Sequence, residues 1–362
     1  MASAAAQFAY LHGRVSVLSE QLLSGDSLQR LIDCSREDEK HYLEQAGLGH
    51  LAEANIDDSA QLEQALITDL IGDAETLSHA LNGTARDLLM YWTRRFELGN
   101  LKAIIRGKMT AQPVDTIRDQ LISLGQFATL PIEELLRTDD VAELLRRLEE
   151  TPYSDIARQA RRVYEEQQQL FALDATIDRR YLAGLSKRAK AVGPGGGEAL
   201  RTLIGVSADR INLSWLLRYR FAYNLAPAES YYLLAPTGFR LSTVQLRELA
   251  QLGSIEEVVS HCPPAVRRLI DGLTSTTEID RALEREVLRI AALTLHRTTF
   301  NLARAFAYLM LRMRDLDQIY AILKGKRLGI APAQIGNATG IAPRTAAAPL
   351  PTATASQATR GH

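Results

Sequence analysis

The chain has 362 residues, 42 Lys and Arg against 43 Asp and Glu, a formal net charge of −1, and 46% hydrophobic residues, which leaves room for two or three globular domains. Neither half is strongly basic, and this excludes broad nucleic-acid binding, which needs a concentrated cationic face. Two cysteines, Cys34 and Cys262, without a short-range partner exclude a zinc site and a disulfide framework and fit a reducing compartment.

Along the chain the dominant pattern is helical. The N-terminal MASAAAQFAYLHGR has no basic segment leading into an apolar core, so no signal peptide is expected. Ser59–Leu81 is an amphipathic run, Asn82-Gly83-Thr84 breaks it with Thr84 as a candidate N-cap, and Arg86–Lys108 resumes helical spacing at Leu89, Trp92, Phe96, Leu101, Ile104 and Ile105. The two runs predict a helical hairpin. Tyr153–Ala191 reads as one long polar helix with an apolar stripe, ended by Gly193–Gly197. Glu278–Arg297 and Phe300–Lys324 repeat the hairpin, and small helices are expected after Pro131 and Ser242. Prolines 113, 227 and 332 follow these long helices as stops or restarts. No useful β alternation appears. The apolar stretch Ala305–Leu311 falls far short of the roughly 20 residues of a membrane span, so no direct membrane insertion is expected. Asn337–His362, rich in Ala, Thr, Pro and Gly, is expected to be a disordered tail.

Three segments share one signature: NLKAIIRGK (Asn100–Lys108), INLSWLLRYR (Ile211–Arg220) and QIYAILKGK (Gln318–Lys326). Each has an acid (Glu97, Asp209, Asp315) three residues before an amide (Asn100, Asn212, Gln318). An aliphatic pair follows, then a base (Arg106, Arg218, Lys324) and a second base two residues on (Lys108, Arg220, Lys326). The amides lie 112 and 106 residues apart. Weaker copies around Leu31, Leu135 and Leu249 precede them at similar distances. A fixed period of domain length means one unit built three times. It predicts an all-α protein of three similar helical domains, 1–112, 113–224 and 225–336, in a pseudo-threefold, funnel-shaped array.

Acid, amide and a following aliphatic fall on one helix stripe, and a polar pair inside an apolar stripe reads first as a buried hydrogen-bond network. The six bases, taken as exposed at the helix ends, are the candidate partner contacts. Chemistry is otherwise scarce. Gly193–Gly197 lacks the strand and the GK[ST] of a phosphate loop, and the seven histidines form no HExxH. Asp139, Asp140 and Glu143 could hold magnesium for a diphosphate substrate, yet the corresponding acids in the other copies suit helix N-termini equally well. No catalytic residue, cofactor or metal ligand is assigned.

The threefold signature resembles the C subunit of the bacterial and archaeal V/A-type rotary ATPases, the family of the eukaryotic V-ATPase d subunit. The carriers are FAYLHGRVSVLSEQLL (Phe8–Leu23), RRFELGNLKAIIRGK (Arg94–Lys108), YNLAPAESYYLLAPTGFRLS (Tyr223–Ser242) and AYLMLRMRDLDQIYAILKGKRLGIAPAQI (Ala307–Ile335). The resemblance spans about Phe8 to Ile335 and departs in the Ala/Thr/Pro tail. It implies a non-catalytic central-stalk rotor on the cytoplasmic face of a membrane. Its implied partners are a proteolipid ring and a central axle, in a complex that links ion transport to ATP synthesis or hydrolysis. A magnesium-dependent enzyme and a generic helical-repeat scaffold are the alternatives.

Overall fold

The computed structural model describes residues 4–45, 47–49, 51, 58–167, 169–193 and 196–341; most of the expected tail, 342–362, lies outside the described residues. Among the described residues there is no strand, and the protein is all-α. Its frame is three antiparallel helix pairs. Ser59–Ser78 precedes Gly83–Met109, Leu170–Ala191 precedes Gly197–Leu217, and Thr276–Arg297 precedes Leu302–Arg327. The second member of each pair is a signature helix.

The first signature helix begins after Asn82, not Thr84. Asn82 takes the extended N-cap backbone, and Gly83 follows at φ +53°, a left-handed value that glycine accepts without a Cβ penalty. The expected single helix over Tyr153–Ala191 is two helices, Ser154–Gln167 and Leu170–Ala191. They fold back on one another, with Arg180 Nη2 donating to Gln159 Oε1 at 2.8 Å. Glu165–Gln169 carries no apolar side chain to hold a continuous helix against a core. An uninterrupted rod of that length would also extend roughly 58 Å, whereas folding back buries Ala157 and Ala160 on one helix and Leu173 and Ile177 on the other.

After each signature helix the chain turns into a short helix: Val114–Arg118, Pro227–Leu233 and Pro332–Thr339, the last two with Pro at the first helical position. The last helix runs beyond residue 336, with Thr339 and Ile341 buried. Gly107 lets the first of these helices approach closely, because a Cβ there would overlap the side chain of Ile117. Gly325 stands in the same relation to Ile335, at 3.0 Å. The second copy carries Tyr219 at that place and makes a π-helical turn over Arg218–Ala222. One extra residue is absorbed there. The closing bond runs from Leu225 N to Tyr219 O, whereas its counterparts run Gln112 N to Gly107 O and Ile330 N to Gly325 O.

The first helix, Ala4–Ser19, lies on the third signature helix. Leu11 and Val15 enter the core, and Arg304 donates to His12 O at 2.9 Å. Trp92 meets Phe306 edge-on at 6.4 Å between ring centroids, joining the first and third signature helices in the same core.

Gly107→Ala is expected to destabilise the protein by about 1–3 kcal/mol through overpacking. Adding Ile117→Val should recover part of the loss in urea unfolding. Two additive, independent losses would contradict the close-approach explanation.

Candidate partner-binding surface and the clamps behind it

The six acids and amides of the signatures are all buried, none more than 9% exposed. In the first two copies acid and amide grip one loop that leads into a small helix; in the third the acid does so, while the amide holds the end of the Pro332–Thr339 helix. Asn100 donates from Nδ2 to Ile122 O at 2.7 Å and accepts from Ile122 N at 2.8 Å. Glu97 accepts from the backbone N–H of Thr129 and of Leu130, from the Thr129 hydroxyl and from Tyr153 Oη. In the second copy Asn212 donates to Ala235 O and Thr237 O and accepts from Ala235 N. Asp209 accepts from the N–H groups of Phe239, Arg240 and Leu241. In the third, Gln318 donates to Thr339 O at 3.0 Å and Asp315 accepts from Leu23 N at 2.8 Å.

Leu130, Leu241 and Leu23 each stand immediately before the N-cap of a small helix: Ile132–Leu136 after Pro131, Thr243–Ala250 after Ser242, and Gly25–Asp33 after Ser24. Ser242 and Gln245 form a reciprocal capping box, and Ser24 accepts from Ser27 N. The second base of each signature closes the other end of the same small helix. Lys108 Nζ donates to Leu136 O and Thr138 O. Arg220 donates to Ala250 O at 2.8 Å and Leu252 O at 3.2 Å. Lys326 donates to Leu31 O at 2.8 Å and Cys34 O at 2.7 Å. An anion at the N-terminus and a cation at the C-terminal carbonyls both complement the helix dipole. Acid and second base stand 11 residues apart in every copy, about 16 Å along a helix, enough to bracket a helix of roughly one and a half to two and a half turns.

The clamps follow one another in chain order. The first signature holds a helix that follows it in the chain, the second holds the next, and the third returns to Leu23–Cys34 near the N-terminus. The set is therefore closed end to end.

The structure separates the six candidate contacts into two sets. Lys108, Arg220 and Lys326 are not exposed ends. They are turned inward and spent on carbonyls, Lys326 also pairing with buried Glu39 at 3.1 Å, and burial lowers the Lys108 pKa. Arg106, Arg218 and Lys324 face solvent. Arg106 pairs with Asp174 at 3.4 Å, and Lys324 donates to Tyr320 Oη at 3.2 Å. The helical wheel contains this division. Eleven residues from acid to second base bring the side chain back within about 20° of its starting direction, while nine residues to the first base put it about 180° away.

Asp140 and Glu143 are occupied as helix caps: Asp140 accepts from Glu143 N at 2.8 Å, and Glu143 accepts from Asp139 N at 2.9 Å. Ser254 and Glu257 do the same in the next unit, with Glu257 accepting from Gly253 N. Among the described residues no group of three or more His, Cys, Asp or Glu side chains is placed to hold a metal ion, and no helix is long and apolar enough to cross a membrane.

Residues at equivalent positions of the three signature helices also line one cleft. Trp92, Ile204 and Met310 belong to its apolar lining, and Arg95, Arg210 and Asp317 to its charged lining. Sequence reading missed this convergence. The signal is present in the common offset of Trp92, Ile204 and Met310, each eight residues before its amide.

The architecture is that of an all-α protein in which a helical signature is used three times to hold the same element. A model of the ATP synthase (C/AC39) subunit family matches residues 11–338, and the chain belongs to that family. It is 24% identical over 345 residues to the A-type ATP synthase C subunit of Methanocaldococcus jannaschii, covering 91% of this chain and 85% of that protein. Identity is 25% over 329 residues to the C subunit of the A-type ATP synthase of Methanothermobacter thermautotrophicus, covering 88% and 84%. It is 26% over 285 residues to that of Halorubrum lacusprofundi, covering 76% and 79%.

The clamps set the expected response to mutation and to pH. Asn100→Leu and Asn212→Leu should each destabilise by about 1–3 kcal/mol or more, because buried backbone groups lose their partners. Asn212→Leu should cost more, since it strands three groups rather than two, and melting curves that match the parent would place these amides outside the load path. As for pH, burial raises the Asp315 pKa to about 6, and burial likewise raises Asp73 to about 6 against the lowering effect of the Tyr308 hydroxyl. A folded value above the unfolded one means that the native state holds extra protons between about pH 4 and 6. Stability from these groups is therefore gained as pH falls through 6 and lost as pH rises. His12, lowered by burial, opposes them below its ordinary value of 6.5. Asp315→Asn keeps an acceptor for Leu23 N and removes the charge. It should leave stability near pH 4 nearly unchanged, raise it progressively above that, by about 2–3 kcal/mol at pH 7.5, and weaken the pH dependence seen in chemical unfolding.

Proposed function

We propose that the chain is a non-catalytic central-stalk subunit of an A-type or V-type rotary ATPase. In this reading it sits peripherally on the cytoplasmic face and couples the membrane proteolipid ring to the central axle, so that ion transport is linked to ATP synthesis or hydrolysis. The curated relatives are named as C subunits of A-type ATP synthases, and the observation that carries the coupling role is the closed set of clamps. A torque-bearing part must resist relative rotation of its units. Three buried, charge-assisted clamps with no free end resist it better than a chain of neighbours joined only by loops. The three units would stand around the central cleft as a pseudo-threefold funnel, with the cleft toward the axle. The outward bases Arg106, Arg218 and Lys324, one per unit, are then the contact set. A polar contact suits sectors that must part and rejoin.

Charge reversal at Arg106 and Lys324 together should weaken co-purification with ring and axle, more so at low ionic strength. The melting temperature should fall little, because the exposed Arg106–Asp174 pair contributes no more than about 1 kcal/mol. Unchanged assembly would remove these bases from the interface. Purified chain alone should release no phosphate from ATP, and turnover that persists through further purification would contradict the non-catalytic role.

A further inference from the structure

A cleft of about 470 Å³ opens between the first signature helix, the start of the Ser154–Gln167 helix and the Leu170–Ala191 helix. Its size falls within the range of small-molecule sites. Four cations line it, Arg94, Arg180, Lys187 and Arg188, against one lining acid, Asp155. None of the four belongs to a clamp.

Aromatic faces hold two of these cations. The Arg94 guanidinium lies 5.4 Å from the Tyr91 ring centroid and 5.5 Å from that of Tyr153, and Arg188 lies 3.8 Å from Tyr91. Tyr91 is itself fixed, stacked on Tyr181 at 5.4 Å with its hydroxyl donating to Tyr181 O. Gly184 makes room for that hydroxyl, which any Cβ there would overlap. A guanidinium held by its flat face keeps its in-plane N–H donors for other partners. Arg188 spends Nε on Asp87 and Nη1 weakly on Gly184 O. Arg180 gives Nη2 to Gln159 and reaches Asp155 only at 3.7 Å. Lys187 is exposed. The cleft thus holds several oriented donors and a net positive charge between rigid aromatic walls.

We propose that this cleft binds a small, multiply charged anion through phosphate or carboxylate oxygens, with Arg94, Arg180 and Lys187 as the principal donors. A planar fork such as the Arg94 guanidinium matches the oxygen pair of either group. The cleft joins the first two units, so an occupant would bridge them and stabilise the fold by mass action. Such a site does not depend on the coupling role.

Calorimetry of the full chain with inorganic pyrophosphate in one arm and citrate in another tests it, alongside thermal melting with each anion. Saturable binding of either supports the site, and the tighter arm tells phosphate from carboxylate. Affinity should fall at least tenfold in Arg94→Gln/Lys187→Gln and fall with added salt. If the double variant does not fold, Lys187→Gln alone, at an exposed position, should still weaken binding several-fold with an unchanged melting temperature. No heat from either anion up to about 5 mM, an affinity weaker than roughly −3 kcal/mol, overturns the proposal. Undiminished binding by a folded variant also overturns it.

Discussion

The fold depends on how one helix end is made to fit another. Each signature helix presents a carboxylate and a cation on one face, and between them lies a short helix whose free N–H groups and carbonyls need partners. The short helices have too few turns to be stable alone. The clamp satisfies their ends and fixes their position in the same contacts. Burial then makes the arrangement selective. A carboxylate that has lost water must find donors, and the backbone N–H groups of Phe239, Arg240 and Leu241 converge on Asp209 for this reason, although burial still raises its pKa.

The second copy shows how much local change the clamp tolerates. Where the others have Gly107 and Gly325, it has Tyr219, too large for the close approach those glycines permit. The chain answers with an added residue in a π turn that includes it, and Arg220 still reaches the carbonyls of Ala250 and Leu252. The helix geometry gives way and the polar contacts persist. That is the outcome expected when unpartnered buried groups cost more than a strained turn.

The signature, its period and the paired helices were legible from sequence because they are local and periodic. So was the burial of the acid and amide, which share an apolar stripe. The elements they hold were not legible, since Glu97 meets Leu130 and Asp315 meets Leu23 through contacts no local pattern encodes. The inward direction of Lys108, Arg220 and Lys326 is encoded in the helical wheel but masked, because bases near a helix end read equally well as dipole partners of their own helix. The division into the Ser154–Gln167 and Leu170–Ala191 helices was hidden for a different reason. Glutamine favours helix, and only the absence of an apolar anchor across five residues marks the break.

The closure between the third unit and the first is built differently from the other two junctions. At those two, acids on the first helix of a pair meet bases on the preceding signature helix at partly exposed positions: Asp178 with Lys102 at 2.8 Å, and Asp280 with Arg210 at 2.9 Å. Counted from the signature amides, the corresponding places in the first unit are Leu62 and Leu66, which carry no charge. The closing junction instead buries Arg312, 2% exposed, against Asp69 and Asp73, with Tyr308 donating to Asp73 at 2.6 Å. The consecutive units are covalently continuous, so a modest surface seam suffices between them. The ends of the chain have no such tether, and a mispaired closure would be as accessible as the right one. A buried guanidinium penalises every arrangement that leaves it without both carboxylates, by several kcal/mol in other proteins. Its contribution here is therefore to discrimination among closures more than to net stability, and it falls at the one junction where discrimination is needed.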